Sequence, residues 1–505
     1  MTIKIRGYFQ STCGAEPLAV FRIGFGLMML YSIMRFYFMG WIDKVYVKPN
    51  FHFKYYGFEW IPELGEYTYM LFVLCALSSI TIALGYKYRI SIILFFISFT
   101  YIELLEKTVY LNHYYFISIL SFLLIFLPLN ASFSIDNLIR NTKTISVPSW
   151  TIDCIKLLLA IVYIYAGLAK INYDWLIDAM PLKLWLTSKY DLPIIGECFM
   201  QQVWVHYLMS WGGMIYDLSI PFLLIYKRTR NFAFFMVVVF HVFTRILFPI
   251  GVFPYVMIIS ALIFFDNSFH KKIINYLKRI ILAISNFKTE KIKNEVKYTT
   301  NKSVLFIVCV FFAIQILLPL RSVFYPGNIM WHEQGYRFSW RVMLIEKAGY
   351  TSFKVVDNLT GNSELVNNNL YLTKFQEKQM SFQPDMIIEY AHYLADVYSD
   401  RGFGDISVYA DSYVTLNGRP SQKFINPEID LIKQKRGFKN YVFQPHNVFM
   451  NNKGIFAYAN QIKFKSQSLN SFIISNEKIL NSVKNKIDLG TSFGIPTELE
   501  TKIAK

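Results

Sequence analysis

Read from the N-terminus, apolar positions gather into long runs at about 17–39, 66–86, 89–105, 109–128, 153–172, 203–226, 231–248, 250–266 and 303–320. Crossing a hydrocarbon core takes roughly 20 consecutive apolar residues, so these runs predict nine transmembrane helices, the shorter ones tilted or merged. The first run is too long for a signal-peptide core and lacks a small-residue cleavage site, which predicts a retained helix.

After residue 320 the pattern changes. Ile406, Val408, Ala410, Val414 and Leu416 alternate with Ser407, Tyr409, Asp411, Thr415 and Asn417, the period of a strand with one buried face. Met386, Ile387, Tyr390, Ala391, Leu394 and Val397 instead recur at helical spacing after Pro384. The predicted fold class is a polytopic α-helical membrane domain over 1–320, followed by an extracytoplasmic, strand-rich α+β domain over 321–505. A further helical pattern, Ile273, Ile274, Leu277, Ile280, Ile281 and Ile284 between basic residues, suits either a helix lying on an anionic membrane surface or a solvated connector.

Composition narrows the class. Of 505 residues, 54% are hydrophobic and 17% charged, against roughly 25% charged in soluble domains, which excludes a soluble, disordered, collagenous or coiled-coil chain. The net charge of +17 would suit a nucleic-acid partner, but the basic residues sit in short segments between apolar runs and read as an orientation signal. With Lys4 and Arg6 in the cytoplasm, alternation places three basic connections there: Lys87 and Arg89; Arg140 and Lys143; Lys227, Arg228 and Arg230. The nine basic residues from Lys271 to Lys302 fall on the same side, and 321–505 fall outside. Five cysteines, at 13, 75, 154, 198 and 309, show no metal-type spacing, and no phosphate-loop or zinc-helix motif occurs. No metal and no nucleic acid are expected.

Ionisable residues within spans are costly and are functional candidates by default. Arg22 and Lys156 lie near inner ends, where they can snorkel. Arg35, Glu103, Glu106 and Lys107 lie near outer ends. Asp217 is deeper and reads as a structural partner of Lys156 or of the backbone. Lys170, His113 and His241 share one depth, the outer membrane boundary. Taking an amine out of water disfavours its ammonium form, and a neutral amine is a competent base that a histidine can orient or relieve of its proton. The alternatives at these positions are a snorkelling Lys170 and a helix-capping His113. Gly212-Gly213 reads as a close helix approach.

At these residues the chain resembles the vitamin K-dependent γ-glutamyl carboxylase family and its bacterial relatives with the horizontally transferred transmembrane domain. The resemblance is carried by Leu18-Ala19-Val20-Phe21-Arg22, by Glu106-Lys107-Thr108 with Asn112-His113, and by Ala166-Gly167-Leu168-Ala169-Lys170 with Asp174-Trp175. It continues through Gly212-Gly213 with Asp217-Leu218-Ser219, His241 with Gly251 and Tyr255-Val256-Met257, and Trp331 with Tyr336 and Ser339-Trp340, and more weakly through Asn426-Pro427-Glu428-Ile429-Asp430.

The resemblance implies a carbon–carbon lyase with epoxidase activity, in the bacterial inner membrane with its C-terminal domain extracytoplasmic. Lys170 would deprotonate vitamin K hydroquinone or menaquinol, with Asn112 and His113 assisting, and O2 would convert the quinol anion into the strong base that removes a γ-proton from a peptidyl glutamate. CO2 then adds, giving γ-carboxyglutamate and quinone epoxide. His241, Trp175, Tyr255 and Tyr336 would hold the quinol, and Trp331, Ser339, Trp340 and Met343 the protein substrate, with membrane lipid as the other partner.

Two departures bear on this. Residues 40–65 and 321–505 contain no cysteine, so the disulfide that joins the first outer loop to the outer domain in vertebrate relatives is missing, with Tyr393 at the equivalent place. After Ser339-Trp340 the chain reads Arg341-Val342-Met343-Leu344-Ile345, in place of the family's acidic and His-containing continuation. Epoxidation without carboxylation, and a non-catalytic module that binds lipid or peptide, are the alternative functions. An enzyme needs an amine at Lys170, whereas a binding module tolerates arginine there.

Overall fold

The computed structural model describes residues 7–193, 195–284, 294–325 and 327–437, so the last part of the predicted outer domain lies outside the described residues. Each apolar run forms a helix: α1 (Glu16–Phe38), α2 (Thr68–Leu84), α3 (Tyr88–Leu105), α4 (Asn112–Ile125), α5 (Trp150–Ala169), α6 (Val203–Ile225), α7 (Arg230–Leu247), α8 (Phe253–Ala261) and, after the amphipathic α9 (Asn267–Ile284), α10 (Lys302–Leu320). Local chemistry sets their ends. Pro17 opens α1, where a missing N–H costs nothing, and Gly85 closes α2 in the left-handed conformation.

Among the described residues seven of these helices are long and apolar enough to span a bilayer, two fewer than the runs predict. At 1.5 Å per residue the 14 residues of α4 reach only about 21 Å, and α8 is shorter still. Both nevertheless cross the bundle. Tyr88, at the start of α3, donates to the Leu124 carbonyl at 2.8 Å, and Asp136, just beyond α4, accepts from the Lys87 and Tyr88 amides at 2.7 and 3.1 Å. α4 therefore returns to the level at which α3 began, its length made up by non-helical segments at both ends. α8 starts beside His113 and His241 through Phe253. It leads into α9, whose Asn267 lies against Gly14 at the foot of α1.

α9 bends 116° from the α8 segment and buries Ile274 against Ala19 and Val20 of α1, so this segment is a packed helix and not a solvated connector. Arg22 corrects its expectation too. It does not snorkel but is wholly buried, donating to the Ile82, Ala83 and Phe133 carbonyls at 2.9, 2.8 and 2.5 Å and so satisfying the orphan end of α2. A small sheet on the same side pairs β1 (Thr12–Cys13) with β2 (Thr142–Pro148), and β2 in parallel with β3 (Asn294–Lys297).

Beyond α10 a four-stranded antiparallel sheet runs in the order β5-β4-β6-β7, built from β4 (Lys347–Asp357), β5 (Ser363–Leu365), β6 (Ile406–Leu416) and β7 (Gln422–Lys423). β6 is the predicted alternating strand; its long partner β4 pairs with it from Lys347↔Leu416 to Asp357↔Ile406. α11 (Lys374–Met380) begins with a Thr373–Gln376 capping box. α12 (Pro384–Asp400) buries Met386, Ile387, Tyr390 and Leu394 in one core with Phe353, Val355, Val408 and Ala410 of the sheet. Phe51, in the first connection, stacks on Tyr393 of α12 with ring centres 4.4 Å apart. An aromatic contact thus joins the first connection to the outer domain.

Candidate active site

A cavity of about 230 Å³ opens where the bundle meets the sheet domain. Its bundle-side wall is largely apolar, with Phe36, Trp41, Leu111, Ile250 and Phe253 around Arg35, Asn112 and His113. The domain-side wall is polar, with Glu333, Arg337, Lys347, Gln379 and Gln383, and a strip from Val342 to Ile345 closes it.

Two loops make the cavity. The first, 106–111, leaves α3 held by Glu106, whose buried carboxyl accepts from the Thr108 amide and hydroxyl at 2.9 and 2.8 Å and from Gln376 at 2.9 Å. Burial raises this carboxyl above its usual range. The second runs from Trp331 to Met343. Tyr110 joins the two, accepting from the Phe338 amide at 2.8 Å and donating to the Asn112 side chain at 3.1 Å, while the Asn112 amide donates to the Arg341 carbonyl at 3.1 Å. Glu333, Phe338, Trp340 and Met343 all have φ between +55° and +61°. Four non-glycine residues in this sparsely populated region so close together mark a loop whose shape is imposed by its surroundings, as at many functional sites.

Charge holds the same junction. Buried Lys107 donates to Asp385 and Glu389 of α12 at 2.8 and 2.9 Å. Arg337 bonds Asp385 at 2.8 Å, Arg436 bonds Glu389 at 2.8 Å, and Lys347 bonds Glu333 at 2.7 Å. Burial alone would raise the Asp385 carboxyl, but Arg337 and Lys107 hold it well below the usual carboxylate range. Desolvation outweighs Glu333 at Lys347 and lowers its ammonium pKa.

Of the residues singled out from the sequence, the structure brings Asn112, His113, Tyr336 and Met343 to the cavity wall. His113 is 6% exposed and its Nε2 has no hydrogen-bond partner. Lys170 is not on that wall. It is buried at the end of α5, its Nζ 2.6 Å from Asp217 of α6, 3.3 Å from the Ala166 carbonyl and 5.5 Å above the Trp175 ring. Asp217 therefore pairs with Lys170 and not, as expected, with Lys156, which bonds Asp153 at 3.1 Å.

A row of rings lies between the two places. His113 is 5.8 Å from Phe253 and Phe253 is 5.7 Å from His241. His241 Nε2 is 3.1 Å from the Tyr163 hydroxyl, and Tyr163 packs 6.0 Å from Tyr216, the neighbour of Asp217. Trp175 donates to the Ser210 carbonyl at 2.7 Å, and Asp174 beside it is clamped by Arg419 at 2.5 and 2.7 Å and by Asn417 at 2.8 Å. The Lys170 segment and the Lys107 segment are thus both tied to the sheet domain.

Tyr255 is 45% exposed on α8 and does not line the cavity. Trp331, Ser339 and Trp340 shape the second loop from behind it. The Trp331 carbonyl accepts from Lys347 at 2.8 Å, Ser339 bonds the Gly335 carbonyl, and Trp340 packs 5.0 Å from Tyr115. The hydrophobic pattern gives no sign of the ion-pair junction, although Glu106-Lys107-Thr108 is among the blocks that carry the resemblance. Among the described residues, no group of three or more His, Cys, Asp or Glu side chains is arranged to hold a metal.

The family described as HTTM domain matches residues 10–269, about half of the chain. The vitamin K-dependent gamma-carboxylase, lumenal domain, matches residues 300–448. No solved structure matches. Membrane domain and carboxylase domain follow one another in the order of the bundle and the sheet, with the cavity at their junction. This integral membrane protein belongs to the vitamin K-dependent γ-glutamyl carboxylase family.

Proposed function

We propose that the chain is a vitamin K-dependent γ-glutamyl carboxylase that couples epoxidation of a membrane quinol to carboxylation of a peptidyl glutamate. One observation carries this reading: a single cavity joins an apolar, aromatic wall in the bundle to a polar wall in the sheet domain, so that a lipid-soluble ring and a peptide side chain can meet out of bulk water. The quinol fits that first wall, where His113 presents an unpartnered ring nitrogen. With O2 the quinol supplies the strong base that the reaction needs, and CO2 is the second gas consumed.

The chain's own residues bind, orient and move protons. Lys170, paired with Asp217, is the proton acceptor. The pair as a unit goes from net neutral to net positive when it takes the quinol proton, which matches the charge left on the ring oxygen. Because the amine lies behind the row of rings, the role requires the bound quinol to displace part of that wall. His113 orients the ring hydroxyl, and Asn112 fixes the strained loop. His113→Ala and Asn112→Ala are accordingly expected to lower turnover by less than Lys170→Ala and mainly in rate, within the roughly 10²- to 10⁴-fold range of acid–base helpers. A silent His113→Ala would return that residue to helix capping.

Carboxylation is tested with labelled bicarbonate and a glutamyl peptide. Label should enter the peptide only when vitamin K hydroquinone and O2 are present, and label-free peptide alongside normal epoxide formation would remove carboxylation. A second reading, epoxidation alone, is favoured by Val342 to Ile345. This stretch departs from the family pattern, and it lines the cavity with apolar side chains where a glutamate would be received.

In this reading the protein sits in a bacterial inner membrane with the sheet domain outside. Single cysteines placed between 273 and 300 should label only from the cytoplasm, and those after 321 only from outside, by the positive-inside rule. Cytoplasmic labelling of the sheet domain would reverse the orientation.

A further inference from the structure

The cavity is lined by four basic side chains, Arg35, Lys107, Arg337 and Lys347. Three are matched: Lys107 by Asp385 and Glu389, Arg337 by Asp385, and Lys347 by Glu333. Arg35, in the last turn of α1, has no carboxylate within ion-pair distance among the described residues. Its Nε is buried without a hydrogen-bond partner, and elsewhere the guanidinium meets the neutral Tyr114 hydroxyl, not an anion. Trp41 covers the guanidinium at 4.8 Å, and Gly251, at φ +62°, lies so near that a Cβ there would come within 3.1 Å of Nη2. A cation kept in a partly buried, aromatic place without a counter-ion is costly unless an anion completes it. Two further buried nitrogens on this wall lack a hydrogen-bond partner, His113 Nε2 and Trp41 Nε1, and the surrounding side chains, Phe36, Ile250 and Phe253, suit a flat ring.

We propose that Arg35, with His113, forms a seat for the ionised hydroxyl oxygen of an aromatic alcohol. Resting on the function proposed above, this assigns the quinol oxyanion to the Arg35 end of the cavity and the peptide to the opposite, polar wall. A guanidinium directs fixed N–H groups at an oxygen, and a hydrogen bond to a charged partner is among the stronger kinds. The seat therefore favours the ionised ring over the neutral one and makes proton loss from the quinol easier.

The test uses the full-length protein in lipid nanodiscs with two probes of nearly equal shape: 1-naphthol, which ionises and changes its absorption spectrum on doing so, and 1-methoxynaphthalene, which cannot ionise. Wild type should bind both and hold the naphthol partly as its anion. In Arg35→Gln the anion signal should vanish and naphthol affinity fall by roughly tenfold to a hundredfold, with methoxynaphthalene affinity unchanged. Arg35→Lys, which keeps the charge, should retain most of the preference, and unfolding temperatures recorded alongside identify a variant that has not folded. Equal loss of both probes in a folded Arg35→Gln protein, or no loss of either, would overturn the seat while leaving the quinol cavity standing. Failure of wild type to bind either probe would overturn both.

Discussion

Lys170→Ala is expected to stop the conversion of vitamin K hydroquinone to its epoxide while leaving a folded protein in detergent. The expected loss is at least the roughly 10²- to 10⁴-fold that a positioned acid or base contributes, because the variant has no amine there and the buried Asp217 left without its cation is expected to be protonated already. Removing the amine leaves Asp217 buried without its cation. A carboxyl so placed can protonate and stay neutral, so collapse of the fold is not expected. The space left is about that of a small primary amine, and ethylamine or propylamine should restore part of the rate. Lys170→Arg separates enzyme from binding module: it keeps the ion pair with Asp217 but offers a group that does not give up its proton. Normal epoxide formation by either variant would remove Lys170 from the chemistry.

Lys107→Met has the largest expected effect on structure. It withdraws a cation, 2% exposed, that bonds two carboxylates of α12, and breaking one side of a buried ion pair typically costs about 3–5 kcal/mol. Asp385 keeps Arg337 and Glu389 keeps Arg436, so the cost falls on docking of the sheet domain rather than on its own core. Faster proteolysis between the bundle and α12, with secondary structure retained, should report it. The pH dependence has a definite sign. Because the Asp385 carboxyl sits below the usual carboxylate range, its contribution is fully present above the unfolded value of about 3.9. It is lost only as pH falls through the lower, folded value. In Lys107→Met that loss should begin at higher pH. Unchanged acid sensitivity in the variant would mean that Lys107 does not hold Asp385 in its ionised form.

Much of this architecture is legible in the chain because burial in a bilayer and burial on one face of a strand both write a period into the sequence. The helices, β6 and α12 follow from it. Span number by length was less legible, since α4 and α8 cross the bundle with non-helical ends whose backbone groups are satisfied by other elements. Pairing across the bundle was not legible at all. Asp217 meets Lys170 and not Lys156 because α5 and α6 pack with that register, and Arg22 is buried because three carbonyls from α2 and residue 133 converge on it. Alternation along the chain predicts a common depth for Lys170, His113 and His241. That a row of rings separates His113 from Lys170, while Arg35 joins His113 at the cavity, depends on packing that no periodicity records.

The most direct measurement of the proposed activity is the oxygen-dependent conversion of vitamin K hydroquinone to its epoxide by the purified protein in lipid, followed by chromatography with and without glutamyl peptide and bicarbonate. Epoxide should accumulate catalytically in air, disappear without O2 and be absent from Lys170→Ala. Quinone formed at the same slow rate with and without protein, and no epoxide under any condition, would contradict an epoxidising role and leave a binding module in its place.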